Sequence, residues 1–156
     1  MGERLALDSN LILLLAVGRA EQGLIAKHKR LRQFDEADYE LLLGYLVNAA
    51  EVVTTPNAMT EVSNLATFGM LEPARSRIVA SLKTLITSFS ETYAQSRVVS
   101  ELDDFVRLGL TDCAWFPVLE NGARLLTVDN DLYLVALQRG YSAVNFEHIR
   151  RAMRHD

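Results

Sequence analysis

The stretch Leu108 to Leu132, LGLTDCAWFPVLENGARLLTVDNDL, sets two acidic clusters around one apolar segment and one turn. Asp112 follows Thr111 at a predicted helix start. The apolar residues Ala114, Trp115, Phe116, Val118 and Leu119 continue that helix to Asn121-Gly122, a pair that ends helices. Leu125-Leu126-Thr127-Val128 then reads as a short buried strand. Asp129 sits just past its carboxyl end, and Asp131 follows as the next apolar run begins. A carboxylate at a helix start and another at a strand end can meet at the edge of a sheet. In open α/β sheets that edge is where ligands bind.

Earlier segments repeat the pattern. Leu5-Ala6-Leu7 breaks at Asp8-Ser9-Asn10, and apolar character resumes from Leu11 to Val17. A strand, a turn and a helix follow, with Asp8 at the carboxyl end of the first strand. Taken alone, Asp8 reads as the cap of that helix before it reads as a ligand. Val52-Val53-Thr54-Thr55 is β-branched throughout and predicts a second buried strand. Pro56 suits the first turn of the next helix, with Thr55 as its cap. Met59, Val62, Leu65 and Ala66 form that helix's apolar stripe. Glu61 lies beside the stripe, either as an ordinary exposed glutamate or as a functional acid one turn past a strand end.

Between these units, Asp35 caps a helix framed by the Phe34–Tyr39 staple, with Tyr39, Leu42, Leu43 and Leu46 on one face. That helix is expected to run to about Ala50. Gly18 to Gln33 is polar and contains Lys27, His28, Lys29, Arg30 and Arg32, the densest basic cluster in the chain. Such a run is either a solvated face or a track for a phosphate backbone. Pro73 opens a further helix through Ile78, Leu82, Leu85, Ile86 and Phe89. Val98-Val99 reads as a strand and Asp103 to Arg107 as a short helix. Leu132 to Gln138 is a helix ended by Arg139-Gly140, Ala143 to Phe146 is a last strand, and Glu147 to Arg154 is a basic terminal helix or frayed tail. Strands alternating with helices imply an α/β domain with a parallel sheet.

The 156 residues suit a single domain spanning 1–156. The lone Cys113 excludes an internal disulfide and points to a reducing, cytoplasmic setting. No signal-peptide pattern and no run of about 20 apolar residues is present, so no membrane association is expected. The net charge of −4 gives no bulk footprint for nucleic acid, but carboxylates gathered around a cation count differently once it is bound. One cysteine and the scattered His28, His148 and His155 do not give zinc-ligand spacing.

The ordered set LALDSNLILLL, VVTTPNAMTEVSNL, LGLTDCAW and LLTVDNDLYLVAL resembles the PIN domain family, which includes the VapC-like toxins of bacterial toxin–antitoxin pairs. The resemblance spans Leu5 to Phe146. It implies a three-layer α/β/α sandwich with a central, mainly parallel sheet. It also implies a metal-dependent endoribonuclease in which Asp8, Glu61, Asp112 and Asp129 bind Mg²⁺ or Mn²⁺. Asp131 is then an additional acid, and Asn10 and Thr127 orient the carboxylates or the attacking water. Implied partners are an RNA substrate, a cognate antitoxin if the toxin role holds, and a second copy, since the family commonly dimerises. Lys27, Lys29, Arg30 and Arg32 are candidate RNA contacts. Two features depart from the family pattern: Pro117 lies inside the helix after Asp112, where it removes a hydrogen bond and should kink or shorten that helix, and Trp115 and Phe116 stand where smaller core residues are expected.

Two other functions compete. One is a non-catalytic RNA-binding or scaffold protein with the same fold; the intact acid set argues against it. The other is a domain that phosphorylates an aspartate. That chemistry wants a lysine beside the acids, and Lys27, Lys29 and Lys83 adjoin no predicted strand end.

Overall fold

A computed structural model describes residues 2–154; Met1, His155 and Asp156 lie outside the described residues. Strand β1 (Glu3–Leu7) leads into helix α1 (Ser9–Ala20), and two 3-10 turns (Gln22–Lys27 and Lys29–Leu31) follow. Helix α2 (Glu36–Leu46), β2 (Ala49–Thr54), α3 (Pro56–Ala66), α4 (Ala74–Ser88) and β3 (Ser90–Glu91) come next. The short helices α5 (Ser96–Val99), α6 (Phe105–Leu108), α7 (Leu110–Cys113) and α8 (Trp115–Glu120) precede β4 (Arg124–Thr127). Helix α9 (Asn130–Gln138), β5 (Ala143–Asn145) and α10 (Phe146–Arg154) complete the chain.

The five strands form one sheet in the order β3-β2-β1-β4-β5, and every neighbouring pair is parallel. Helices cover both faces, giving a three-layer α/β/α sandwich. Parallel strands covered on both sides must be apolar on both sides, which is why Leu5 to Leu7 and Leu125-Leu126 are continuous buried runs. Helix α1 is apolar around its whole circumference, with Leu11 to Val17 all buried, as a central helix must be. It packs against α2, α3 and α4. Gly18 lets α2 approach, because a Cβ there would lie 2.3 Å from the Tyr39 ring.

The strand order reverses between β1 and β4. β1 continues outward through β2 and β3, whereas β4 returns to the other side of β1 and continues to β5. The crevice outside the carboxyl ends of β1 and β4 is therefore the topological switch point, where such sheets bind ligands.

Local chemistry explains most element ends. Asp35 and Asp38 form a reciprocal capping box at α2, and the Thr55 side chain accepts from Ala58 N ahead of Pro56. Two expectations are corrected, and the short, broken helix at Pro117 is as expected. Helix α2 ends at Leu46 and not near Ala50, because Ala49 and the residues after it pair with β1 instead. Val98-Val99 belongs to the single helical turn α5, with Val99 N bonded to Gln95 O; the missed strand is β3, two exposed residues at the sheet edge. The helix after Asp112 is split into α7 and α8. Pro117 has no N–H and is accommodated in the first turn of α8. Trp115 and Phe116 are fully enclosed in the core.

The terminal segment is an ordered helix. Arg150 is buried and donates to Asp38 Oδ1 at 2.9 Å, to Glu147 Oε2 at 2.6 Å and to the Gln33 carbonyl at 2.5 Å. Its guanidinium lies 5.2 Å over the Phe34 ring. Removing one member of a buried ion pair strands the other, at a cost of about 3–5 kcal/mol. Arg150→Ala should therefore lower the melting temperature by about 6–20 °C. Arg151→Ala, at an exposed site on the same helix, should change stability by less than about 0.5 kcal/mol. Thermal melts of the two variants against wild type check this; equal effects would show that α10 is not anchored through Arg150.

Candidate functional site

Four acids from four elements line one cleft at the switch point. Asp8 closes β1, Glu61 projects from α3, Asp112 lies in α7 and Asp129 caps α9. Ser9, Asn10, Thr111 and the Leu108-Gly109-Leu110 lip complete the lining of a cavity of about 340 Å³. Gly109 is required at that lip. Its φ of 84° and ψ of 179° fall in a region essentially restricted to glycine, and it turns the chain from α6 into α7.

Asp8 is buried and heavily bonded. Its Oδ1 accepts from Leu11 N at 3.1 Å, so it does cap α1. Its Oδ2 accepts from Val128 N at 3.0 Å and from the Thr127 hydroxyl. Burial pushes the Asp8 carboxyl above its ordinary value, while these three donors oppose the shift. Thr127 Oγ1 also accepts from Asp129 N at 2.9 Å, so one hydroxyl links two of the acids. Asp129 Oδ1 accepts from Leu132 N at 3.1 Å.

The other oxygens lack counterparts. Among the described residues, no salt bridge involves Asp8, Glu61, Asp112 or Asp129. Asp112 is half-buried, and its pKa is pushed up to about 7, first by desolvation and then by the charges of Asp129, Asp8 and Glu61. Each of the three raises the same proton affinity because each carboxylate is near enough to repel the Asp112 anion.

The donor set fits a hard cation: all four groups are carboxylates, the ligands Mg²⁺ and Mn²⁺ favour. A carboxylate offers about four lone-pair sites, so Asp8 keeps capacity beyond its three donors. Among the described residues, no three His, Cys, Asp or Glu side chains already stand together as a set able to hold one ion.

The remaining sequence candidates divide. Asn10 lines the cleft, and Thr127 touches Asp8 directly. Asp131 lies outside the cleft lining and pairs with Arg107 at 2.9 Å on the surface. The reason is helical: two residues beyond the cap, the side chain has turned by about 200° around α9. Lys27, Lys29, Arg30 and Arg32 do not adjoin the cleft either. They follow the carboxyl end of α1, whose 12 residues span about 18 Å from Asp8. His28, buried among them, bonds the Ala66 carbonyl at the far end of α3 at 2.9 Å. Sequence reasoning missed Ser9, Thr111 and Arg107; the first two were signalled only by adjacency to Asp8 and Asp112.

A larger cavity, of about 600 Å³, opens between α2 and the amino ends of β1, β2 and β4. Its acids are already partnered, Glu3 with Arg124 and Glu40 with Gln22. Volume alone does not make it the reactive site.

Neither a family model nor a curated protein matches the chain. Among solved structures, it is similar to a domain of a functionally unknown protein from Methanocaldococcus jannaschii DSM 2661. The two are 18% identical, with a TM-score of 0.50 over 92% of this chain and 91% of that one. At that identity the likeness concerns the fold alone.

The charge crowding has a pH signature. Asp112 ionises near the ordinary aspartate value of 3.8 when unfolded and at about 7 when folded. The folded protein therefore holds a proton that the unfolded chain has released, and metal-free stability declines as pH rises between these values. Asp112→Asn removes the penalty, and Asn cannot ionise. In EDTA, the variant's melting temperature should match wild type near pH 4 and exceed it increasingly up to about pH 7, then by a constant margin. A difference independent of pH would show that Asp112 is not repelled by its neighbours.

Proposed function

We propose that the protein is a metal-dependent endoribonuclease of PIN type that uses Mg²⁺ or Mn²⁺ at Asp8, Glu61, Asp112 and Asp129. The observation that carries this reading is the meeting of four carboxylates without a protein cation at the switch point of a parallel sheet. A bound divalent ion supplies there the missing counter-charge and a water of lowered pKa for attack on a phosphodiester.

The chain's own residues do the positioning. Thr127 and Val128 hold Oδ2 of Asp8, and Leu132 N fixes Oδ1 of Asp129. Asp112 holds a proton near neutral pH in the metal-free protein and releases it when a cation offsets the surrounding charge. Asn10 and Thr111, both on the cleft wall, offer uncharged polar groups to a substrate or its water.

A toxin role with a cognate antitoxin, a homodimeric state and a cytoplasmic location belong to the same proposal and rest on the family resemblance. Among the described residues, no helix is long and apolar enough to cross a membrane. A second reading is a non-catalytic RNA-binding protein with the same fold, in which the cleft acids cut nothing.

Cleavage separates the two. Purified protein with Mn²⁺ should cut single-stranded RNA, and EDTA should stop it. Asp112→Asn and Glu61→Gln should each lower kcat at least about a hundredfold, since each removes an anionic metal ligand. Cleavage that resists EDTA and both substitutions would sink the metal-nuclease reading, and RNA binding without cleavage would select the second.

The basic cluster gives a length test. If Lys27, Lys29, Arg30 and Arg32 contact RNA from about 18 Å along α1, replacing all four by Ala should weaken binding of long RNA and flatten its salt dependence. Turnover of a dinucleotide substrate should not change. Equal losses for both substrates would mean that the substitutions disturb the cleft; no loss for either returns the cluster to a solvated face.

A further inference from the structure

The two lips of the cleft are tied together by two ion pairs of unlike character. One lip carries α6, Gly109 and then Asp112; the other carries Asp129 and then α9. Arg139 of α9 donates to Asp104 Oδ2 through Nε at 2.8 Å and Nη2 at 2.7 Å, and its guanidinium lies 4.9 Å over the buried Phe116 ring. Both side chains are only about a quarter exposed, at 27% and 28%. This pair fixes α6 against α9. The second pair, Arg107 to Asp131, has the opposite polarity and is 58% and 63% exposed. Exposed pairs contribute almost nothing net to stability, so this one can open without loosening the lips.

Its position gives it a use. Arg107 directly precedes Leu108, where the cleft lining begins, and no lysine or arginine is among the lining residues. A polyanionic chain entering a cleft walled by four carboxylates meets repulsion at every phosphate that a metal does not neutralise. A guanidinium one residue outside the lining, if it swings toward the cleft, matches a phosphate in a two-pronged geometry that lysine lacks. Replacing the Asp131 carboxylate by a phosphate exchanges one exposed anion for another.

We propose that Arg107 grips a substrate phosphate at the cleft mouth and that Asp131 is its placeholder, holding the guanidinium until RNA displaces it. The proposal rests on the nuclease reading and gives Asp131 a role other than metal ligation. Arg107 is a positioning residue for the substrate, so it should act on KM more than on kcat.

The test is steady-state cleavage of a fluorogenic single-stranded RNA in Mn²⁺ by wild type, Arg107→Ala, Asp131→Asn and the double variant, at several salt concentrations. Arg107→Ala should raise KM about tenfold, the value of one charge-assisted contact, and reduce the log–log salt slope by about 0.7. Asp131→Asn should lower KM. In the Arg107→Ala background, Asp131→Asn should have no effect, because the placeholder has nothing to hold. If both single variants raise KM, the pair is only a staple. If Asp131→Asn lowers KM equally in both backgrounds, it acts through the general field; either result overturns the proposal, as does an unchanged KM in Arg107→Ala. A wild type that cleaves while the variants behave in these ways leaves the nuclease reading standing. A wild type that neither cleaves nor, by fluorescence anisotropy, binds the RNA removes both.

Discussion

The Asp8 carboxylate joins the two halves of this domain. It sits where β1 turns into α1, accepts from the first turn of that helix, and reaches across to Thr127 and Val128 at the end of β4. Asp8 N continues the ladder by donating to Leu126 O at 3.1 Å. The junction is also the switch point of the sheet, where neighbouring connections diverge and leave a crevice. A buried carboxylate there must be fully bonded to persist, and its bonds lock two strand ends and two helix starts in one arrangement. The Thr127 hydroxyl extends the lock to Asp129. The placement of the acids follows from these few contacts.

The same arrangement leaves the chain with an electrostatic conflict that it does not resolve internally. Elsewhere its buried and half-buried charges are paired: Asp38 with Arg150, Asp104 with Arg139. In the cleft they are not, and Asp112 is driven toward neutrality at physiological pH. A special backbone position accompanies the charge, since Gly109 holds a conformation closed to side-chain-bearing residues at the point that carries Asp112 into place. Functional sites concentrate such departures from local consistency. The divalent cation proposed for the cleft is the kind of partner that would offset this conflict.

Much of this was legible in the sequence because it depends on local rules. Strands covered on both faces produce continuous apolar runs, so β1, β4 and β5 could be read directly. Thr55-Pro56 and Asp35 announce their helices by capping chemistry. Asp8, Asp112 and Asp129 at strand ends and helix starts, with Glu61 on the helix after β2, indicated one edge of the sheet. What escaped depends on tertiary choices. The two exposed residues of β3 have no apolar pattern and exist only because β2 offers an edge. Val98-Val99 has β-branched side chains, yet a single helical turn satisfies its backbone. Ala49 and Ala50 favour a helix but gain more by joining the sheet. Asp131 lies close to Asp129 in sequence but points elsewhere, because the chain is already helical there. Lys27 to Arg32 follow α1 in the chain, and only the straight length of that helix separates them from Asp8.

That Asp112 and its three neighbours bind a divalent metal is tested by thermal denaturation with and without Mn²⁺, which requires neither turnover nor a substrate. An ion that binds only the folded cleft stabilises it by about 2.7 kcal/mol at a hundredfold excess over Kd. In a domain of this size that raises the melting temperature by roughly 5–10 °C. Wild type should show this rise over its value in EDTA, and Asp112→Asn should show a clearly smaller one. An equal rise in both proteins, or none in wild type, would contradict the account.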